Sequence, residues 1–423
     1  MAMASTLRPA CSPLGSRTEI DIVTMALTRH ANSPCVLGNA HHHLSASRSP
    51  SSLSSSRGEW LYTELSMLSS DSGSSWRSAS FQSRENSGSS TAIGCRCLEQ
   101  GAWFEFSSEG SSTNAQASRV GDFKILSHLQ QLGCGELTKK PQEVYFPGCM
   151  NESYAFHCTG GNYFVKINRR FDVDSMFVGE LEALKMMKAT NTIRVPAPLG
   201  CGSLSDGGSY LIMEHLHFRP FGMLQNSCQE ALGTSMAQLH LADVGPSFGF
   251  PVQTRLGVLE LSNSWSTSWP EFFVEKRLRE RLESVYAVFG ENYPDIQKKG
   301  NLVLEHATLL LKDYQPRPSL LHGDLWMGNS GLLSSGEVAI YDPATFIGDS
   351  EFDLAFQGWT PSKGFPGLLE GFYRTYHELV PRAPGFEQRH LVYQLYHLLN
   401  HLLLYRVEYF QHVMAAMDKI LKG

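Results

Sequence analysis

The sequence predicts an α+β fold in two parts, a small β-rich lobe followed by a larger, mainly helical one, behind a long disordered extension. Three observations predict it. Residues 1 to about 117 are serine-rich and show no sustained hydrophobic periodicity. From about Pro141 to Glu214, short β-branched and aromatic runs alternate with Gly, Asn and Pro turns. From about His217 onward, apolar residues recur at helical spacing, interrupted once by the stretch Leu320–Asp342.

Composition bounds what the chain does. At about 150 residues per domain, 423 residues hold two or three domains, and 42% hydrophobic content supplies a large core. The division expected is 1–117, 118–216 and 217–423. A net charge of -6 provides no global basic field, so no nucleic-acid partner is expected. No apolar run reaches the ~18 residues of a membrane span, so no membrane association is expected either. Nine cysteines at irregular spacing, with Cys95-Arg96-Cys97 as the only close pair, make neither a disulfide framework nor a zinc site; free thiols in a reducing compartment are expected.

The extension justifies its own reading. Seventeen of the forty residues from Ser51 to Ser90 are serine, too polar a run to bury a core. The first 58 residues carry Arg8, Arg17, Arg29, Arg48 and Arg57 against only Glu19 and Asp21. Ser-rich, Arg-containing, acid-poor composition is that of an organelle transit peptide, which would place the protein in a plastid or other organelle. A plain disordered extension has the same composition and would leave the chain cytoplasmic. His41-His42-His43 in such a tail is read as no metal site.

Order is expected to begin near Val120. Phe123, Leu126, Leu129 and Leu132 recur at helical spacing, and Gly133 and Gly135 end the pattern. Glu143–Phe146, Tyr154–Cys158 and Tyr163–Ile167 then read as a β-meander, with turns at Pro147–Asn151 and Thr159–Asn162. Lys166 lies inside the third strand. Either it faces solvent on an edge strand, which residue preferences alone favour, or it is aimed at an anion in a cleft. A helix over roughly Val173–Ala189 follows, with Met176, Phe177, Leu181, Leu184 and Met187 as its apolar stripe and Glu180 beside it. After the extended linker Val195–Pro198, Tyr210–Met213 reads as a buried strand that exits into Glu214-His215-Leu216.

Helices are expected at Leu232–His240, from Trp269-Pro270 through Leu282, at Leu302–Leu311, at Phe372–Leu379 and over His390–Leu421. Between them the apolar run Ser319–Leu321 leads into His322-Gly323-Asp324. Asn329 comes five residues after Asp324, and the strand-like Val338–Tyr341 ends in Asp342-Pro343, thirteen residues after Asn329. By itself His-Gly-Asp also reads as a polar turn between buried strands. With Asn and Asp at these offsets, the set supplies what phosphoryl transfer to a hydroxyl needs: one carboxylate to orient the hydroxyl and accept its proton, and an amide and a second carboxylate to hold magnesium against nucleotide phosphates.

The blocks PGCMNES, NYFVKINRR, MFVGELEAL, RVPAP, YLIMEHL, MAQLHLAD, SWPEFFVEKRL, LLHGDLWMGN, YDPATFIGDSEFDLAF, APGFEQR and LYHLLNH run in order from about Gly148 to His401. Together they resemble the ketosamine kinase family, the fructosamine-3-kinases and ribulosamine kinases, which have a protein-kinase-like fold. The resemblance implies ATP and Mg²⁺ as cofactors and Asp324 as proton acceptor. It implies Asn329 and Asp342 as magnesium ligands, Lys166 on the nucleotide phosphates and Glu180 positioning it. Glu214, His215 and Leu216 would form the adenine-facing connector, and the turn with Gly148, Cys149 and Asn151 would cover the phosphates. Family members phosphorylate the 3-hydroxyl of ketosamines, free or on protein lysines, and the unstable product releases the amine, a repair called deglycation.

The chain departs from the family pattern in four places. Phe146-Pro147 stand where glycines are usual, which predicts a stiffer phosphate turn. Asp349 stands where His is frequent and is expected to add negative charge on the active-site side of the helical lobe. Leu259–Asn263 replaces a Thr-Pro-Gln-x-Asn segment, and Leu402–Arg406 replaces an aromatic and glycine-containing one; both are expected on the sugar side. Cys149 is either a small turn residue or, as the resemblance implies, a redox switch that links two copies by a disulfide, so the chain is a monomer or a redox-linked homodimer. The rivals to ketosamine phosphorylation are another small-molecule kinase of this fold, for an amino sugar or amino alcohol, and a nucleotide-binding protein without turnover.

Overall fold

The computed structural model describes residues 122–144, 151–172, 176–219, 225–355 and 368–422. The serine-rich extension, Cys95, Cys97 and the phosphate turn with Gly148 and Cys149 lie outside the described residues.

The described chain opens with helix α1 (Phe123–Gln131), capped by the Asp122 side chain, which accepts from the Lys124 amide at 2.8 Å. Strands β1 (Gln142–Glu143), β2 (Glu152–Cys158) and β3 (Gly161–Asn168) follow, then helix α2 (Val178–Thr190), β4 (Pro198–Ser203) and β5 (Ser209–Glu214). They form one antiparallel sheet in the order β1-β2-β3-β5-β4. Alternation across this sheet feeds two cores. Tyr154, Phe156, Val165, Ile167 and Ile212 pack under α1 with Ile125 and Leu129, whereas Ala155, Phe164, Leu211 and Met213 join the main core with α2. With both faces covered, the strands read as near-continuous apolar runs.

One sequence expectation changes here, and one strand goes beyond the sequence reading. First, β3 is a central strand, not an edge, so Lys166 cannot face solvent; it shares the α2-side face with Phe164 and is 8% exposed. Second, Pro198–Ser203 carries Pro and two glycines, poor strand signals, yet pairs with β5 through a bulge at Pro198/Gly200. It lies at the sheet edge, where a missing amide costs no ladder bond.

The helical part contains α3 (Asn226–Leu241), the hairpin β6–β7 (Thr254–Leu256 and Leu259–Leu261), α4 (Trp269–Phe273), a π-helical turn (Val274–Arg279), α5 (Glu280–Phe289) and α6 (Pro294–Leu311). Ser268 caps α4 by accepting from the Glu271 amide at 3.3 Å, with Pro270 in its first turn. Strands β8 (Pro318–Leu320), β9 (Ser330–Leu332), β10 (Val338–Ile340) and β11 (Ile347–Asp349) come next. Helices α7 (Glu351–Leu354), α8 (Glu370–Leu379), α9 (Phe386–Tyr405) and α10 (Phe410–Leu421) close the chain. The expected single helix over His390–Leu421 is thus two, broken by a 3₁₀ turn at Arg406–Tyr409. The break lets Phe410, Val413, Met417 and Ile420 rejoin the core that Leu395, Leu398, Leu399 and Leu402 enter. Among the described residues, no helix is long and apolar enough to cross a membrane.

Candidate active site

Two small antiparallel pairings assemble the site. β8 pairs with β11 in the register Leu320↔Ile347, which sets the start of His322-Gly323-Asp324 beside the segment that follows Asp342. β9 pairs with β10 in the register Ser330↔Ile340, and the Tyr341 amide donates to Asn329 O at 3.0 Å. The segment between Asn329 and Asp342 is therefore one hairpin that returns Asp342 to the level of Asn329.

The loop between them is held from below. The Asp353 carboxylate accepts from the backbone amides of His322 (2.6 Å) and Gly323 (2.8 Å). His240 stands behind it, its Nε2 3.1 Å from Asp353 and its Nδ1 2.7 Å from the Tyr376 hydroxyl. Burial pushes Asp353 up, but the hydrogen bond and charge of His240 and the bond from the Gly323 amide outweigh it, and its carboxyl stays below the usual range. His322 Nε2 donates to Tyr341 O at 3.0 Å, so Nδ1 accepts the Asp324 amide at 3.3 Å; burial keeps this imidazole neutral. Gly323 has φ +82, and a β-carbon there would sit 2.1 Å from Ala344 O, so only glycine brings the loop this close to the segment after Asp342.

Asp324 projects from this frame. Asn329 Nδ2 donates both to Asp324 O and to its carboxylate, each at 2.9 Å. Burial and the nearby Asp342 charge raise the Asp324 carboxyl to about 7, against the pull of Asn329. Asp342 adopts left-handed backbone, φ +62, tolerated by Asp better than by most residues. Its carboxylate accepts from Lys166 Nζ and is still 46% exposed. Lys166 also donates to Glu180 at 2.6 Å. Burial acts to neutralise the Lys166 ammonium, but Asp342 and Glu180 more than offset it, so it stays charged. A hard divalent cation suits this set: Asn329 and Asp342 offer oxygen donors, and the exposed side of Asp342 leaves room for ligands from a nucleotide.

The structure places the other sequence-derived candidates as follows. Asn151 Oδ1 accepts from Asn168 Nδ2 at 2.8 Å, tying the end of the phosphate turn to β3. In the connector, the Glu214 amide donates to Ala197 O and the His215 amide to Asn162 O, while the Glu214 carboxylate is held by Arg194 and the Ala197 amide. Leu216 is buried in a small cluster with Leu333 and Ala339. Asp349 does not face the open side. It is buried, accepts from Tyr393 (2.8 Å) and the Glu351 amide (3.1 Å), and is raised to about 7 by burial and the Glu351 charge. Glu351 in turn holds Arg389 in a bidentate pair at 2.7 and 2.8 Å. In Leu259–Asn263, Leu261 and Asn263 are buried, 3% and 1% exposed, whereas Glu260 is exposed and Leu259 and Ser262 are half-buried.

Sequence reasoning missed Asp353, His240 and Tyr376. Asp353 sits in a quoted block, but His240 lies more than a hundred positions from both Asp353 and Tyr376, and such a set carries no local pattern that would join it.

The fructosamine kinase family model matches residues 124–423. The chain is 39% identical over 276 residues to the chloroplastic protein-ribulosamine 3-kinase of Oryza sativa subsp. indica, covering 65% of this chain and 77% of that one. It is 34% identical over 296 residues to the ketosamine-3-kinase of Mus musculus, covering 64% and 91%. A crystal structure from Haemophilus somnus, whose fructosamine-3-kinase name is provisional, superposes with a TM-score of 0.62 at 30% identity, covering 71% and 98%. The fold is protein-kinase-like.

Proposed function

This chain belongs to the fructosamine kinase family, and on that premise we propose that it transfers the γ-phosphoryl group of ATP to the 3-hydroxyl of ketosamines, ribulosamine or fructosamine adducts on amines, and so drives deglycation. The observation that carries the reading is the geometry at Asp324, whose carboxylate accepts from Asn329 at 2.9 Å with Asp342 held nearby by Lys166, and whose carboxyl is raised by burial and the Asp342 charge. A base poised near ambient pH is what proton removal from a sugar hydroxyl requires. Asp324 accepts the hydroxyl proton as the hydroxyl oxygen bonds the γ-phosphorus, the bridging P–O bond breaks, and ADP departs. Lys166, fixed by Glu180, meets the phosphates, and the Glu214–Leu216 connector, with residues 118–216 as the nucleotide lobe and 217–423 as the acceptor lobe, receives the base. Asn329 and Asp342 would hold Mg²⁺, which neutralises charge on the phosphates when bound.

The test is ATP consumption by the chain from residue 118 with magnesium, offered ribulose- and fructose-lysine adducts alongside a panel of amino alcohols and amino sugars. The expected result is turnover of the adducts. Turnover of the amino alcohols or amino sugars alone would sink the ketosamine assignment while leaving a small-molecule kinase.

We further propose that residues 1–117 carry the protein into plastids, supported by their acid-poor, serine-rich composition and by the chloroplastic rice relative. A fluorescent protein fused behind these residues is expected inside chloroplasts of transfected plant cells. A diffuse cytosolic signal would count against it.

A further inference from the structure

We propose that Thr254 and Gly179 are positioning residues, a fixed strut between the two lobes that keeps Lys166, Glu180 and Asp342 assembled for the nucleotide before it arrives. The inference rests on the kinase reading above and concerns its nucleotide side.

The strut begins in the helical lobe. The Arg277 guanidinium lies between the rings of Phe272 and Phe346, 4.6 and 4.3 Å from their centroids. It donates to Asn263 Oδ1 at 2.6 Å and Ser262 O at 2.5 Å. Asn263 Nδ2 donates in turn to Thr254 Oγ1 (2.8 Å) and Val252 O (2.9 Å). Thr254, 2% exposed, donates a hydrogen bond from its own hydroxyl to Thr345 O at 2.9 Å, three residues after Asp342. This chain of bonds fixes the base of the β6–β7 hairpin against the segment that carries Asp342.

The other end of the strut meets α2. Gly179 is buried in its first turn, and a β-carbon there would fall 2.3 Å from Gln253 O, 3.0 Å from Thr254 Cα and 3.2 Å from Thr254 Cγ2. Backbone therefore rests on backbone, and the next residue along the helix is Glu180. The path closes on itself: Asp342 bonds Lys166, Lys166 bonds Glu180, Glu180 neighbours Gly179, Gly179 abuts Thr254, and Thr254 bonds the segment that follows Asp342. A closed ring of short contacts has few ways to open by degrees, because interiors are packed and stiff. The helix bearing Glu180 is thus fixed by a part of the helical lobe, and nucleotide is not required to draw it in. This also gives a place to the Leu259–Asn263 departure: these residues build the hairpin's second strand and its anchor.

Thr254→Val keeps the branched shape and deletes the hydroxyl; Thr254→Ser keeps the hydroxyl. Magnesium-ADP affinity by calorimetry and steady-state kinetics are read on both. For Thr254→Val, the dissociation constant for magnesium-ADP and the KM for ATP are expected to rise about tenfold, the scale of one buried hydrogen bond, with the acceptor KM unchanged. Thr254→Ser is expected to stay within about twofold of wild type. Gly179→Ala is expected to act in the same direction and more strongly; should it fail to fold, the Thr254 pair decides. Wild-type nucleotide binding in Thr254→Val, or a serine variant as impaired as the valine one, would overturn the strut. A wild-type chain that binds magnesium-ADP but phosphorylates no ketosamine removes the substrate assignment and leaves the strut standing, whereas one that binds no magnesium-ADP removes both.

Discussion

Asp324→Asn lowers kcat by about 10²–10⁴-fold, the range that positioned proton transfer contributes, and leaves magnesium-ADP affinity within about threefold of wild type. The physical ground is that the asparagine fills the same space beside Asn329 but accepts no proton. The pH profile carries the second half of this expectation. Burial first, and the Asp342 charge second, raise the Asp324 carboxyl to about 7. A base works only when ionised, so kcat/KM of the wild type falls as pH drops below about 7, and this limb is missing from the variant. Stability should move the opposite way. The folded-state value lies above the unfolded one of 3.8, so between the two the native state binds more protons. The ionised carboxylate therefore costs stability, fully above about pH 7 and not at all below about pH 4. Asp324→Asn should melt at a higher temperature than wild type at pH 8, with the gap closing by pH 4. A wild-type profile flat down to pH 5, or near-normal turnover by the variant, would remove Asp324 from this role.

The second large effect is expected at Asp342. Asp342→Asn preserves the left-handed backbone at φ +62, which asparagine also accepts, and removes the charge alone. Turnover should drop about 10²–10³-fold, comparable to losing one preorganised electrostatic partner, and half-saturation should move to higher magnesium concentration. The coupling between the carboxylates gives a signature that misfolding cannot mimic. Asp342 is one of the charges holding the Asp324 carboxyl up, so in the variant the remaining acid limb shifts below its wild-type position. Magnesium titration and a residual-activity pH profile test both halves. An unshifted limb with unchanged magnesium dependence would falsify the assignment.

Much of this site was legible from side-chain identity and spacing. His322-Gly323-Asp324, Asn329 and Asp342 stand at offsets set by a loop and one hairpin, and local chain length alone brings Asn329 and Asp342 level. The helix with Glu180 was legible because its apolar stripe repeats at 3.6 residues. The burial of Lys166 was not legible from residue preference, although the family resemblance assigned it to the nucleotide phosphates, because a lysine in a strand reads as exposed until the strand's place in the sheet is known. Its neighbours across the ladder are residues 45 and 13 positions away, Leu211 and Ser153, and that pairing is what makes β3 central. The clamp of Asp353, His240 and Tyr376 under the catalytic loop was illegible for the same reason. Each member is an ordinary residue on its own helix, and only packing of three helices makes them one network.

The sequence by itself supplied the candidate groups: the Asp324 carboxylate, the Asn329 amide and Asp342 carboxylate, a lysine with a carboxylate partner on the next helix, and the resemblance to the family to which the chain belongs. Tertiary structure alone decided how that chemistry is held. It buried Lys166 between two carboxylates, raised Asp324 toward neutrality and moved Asp349 out of the site into the Tyr393 network. It also joined Thr254 to both the segment after Asp342 and the helix of Glu180. The reason is that residue type and spacing are local properties, whereas burial, field and closure of a contact ring depend on residues far apart in the chain meeting in a stiff, close-packed interior.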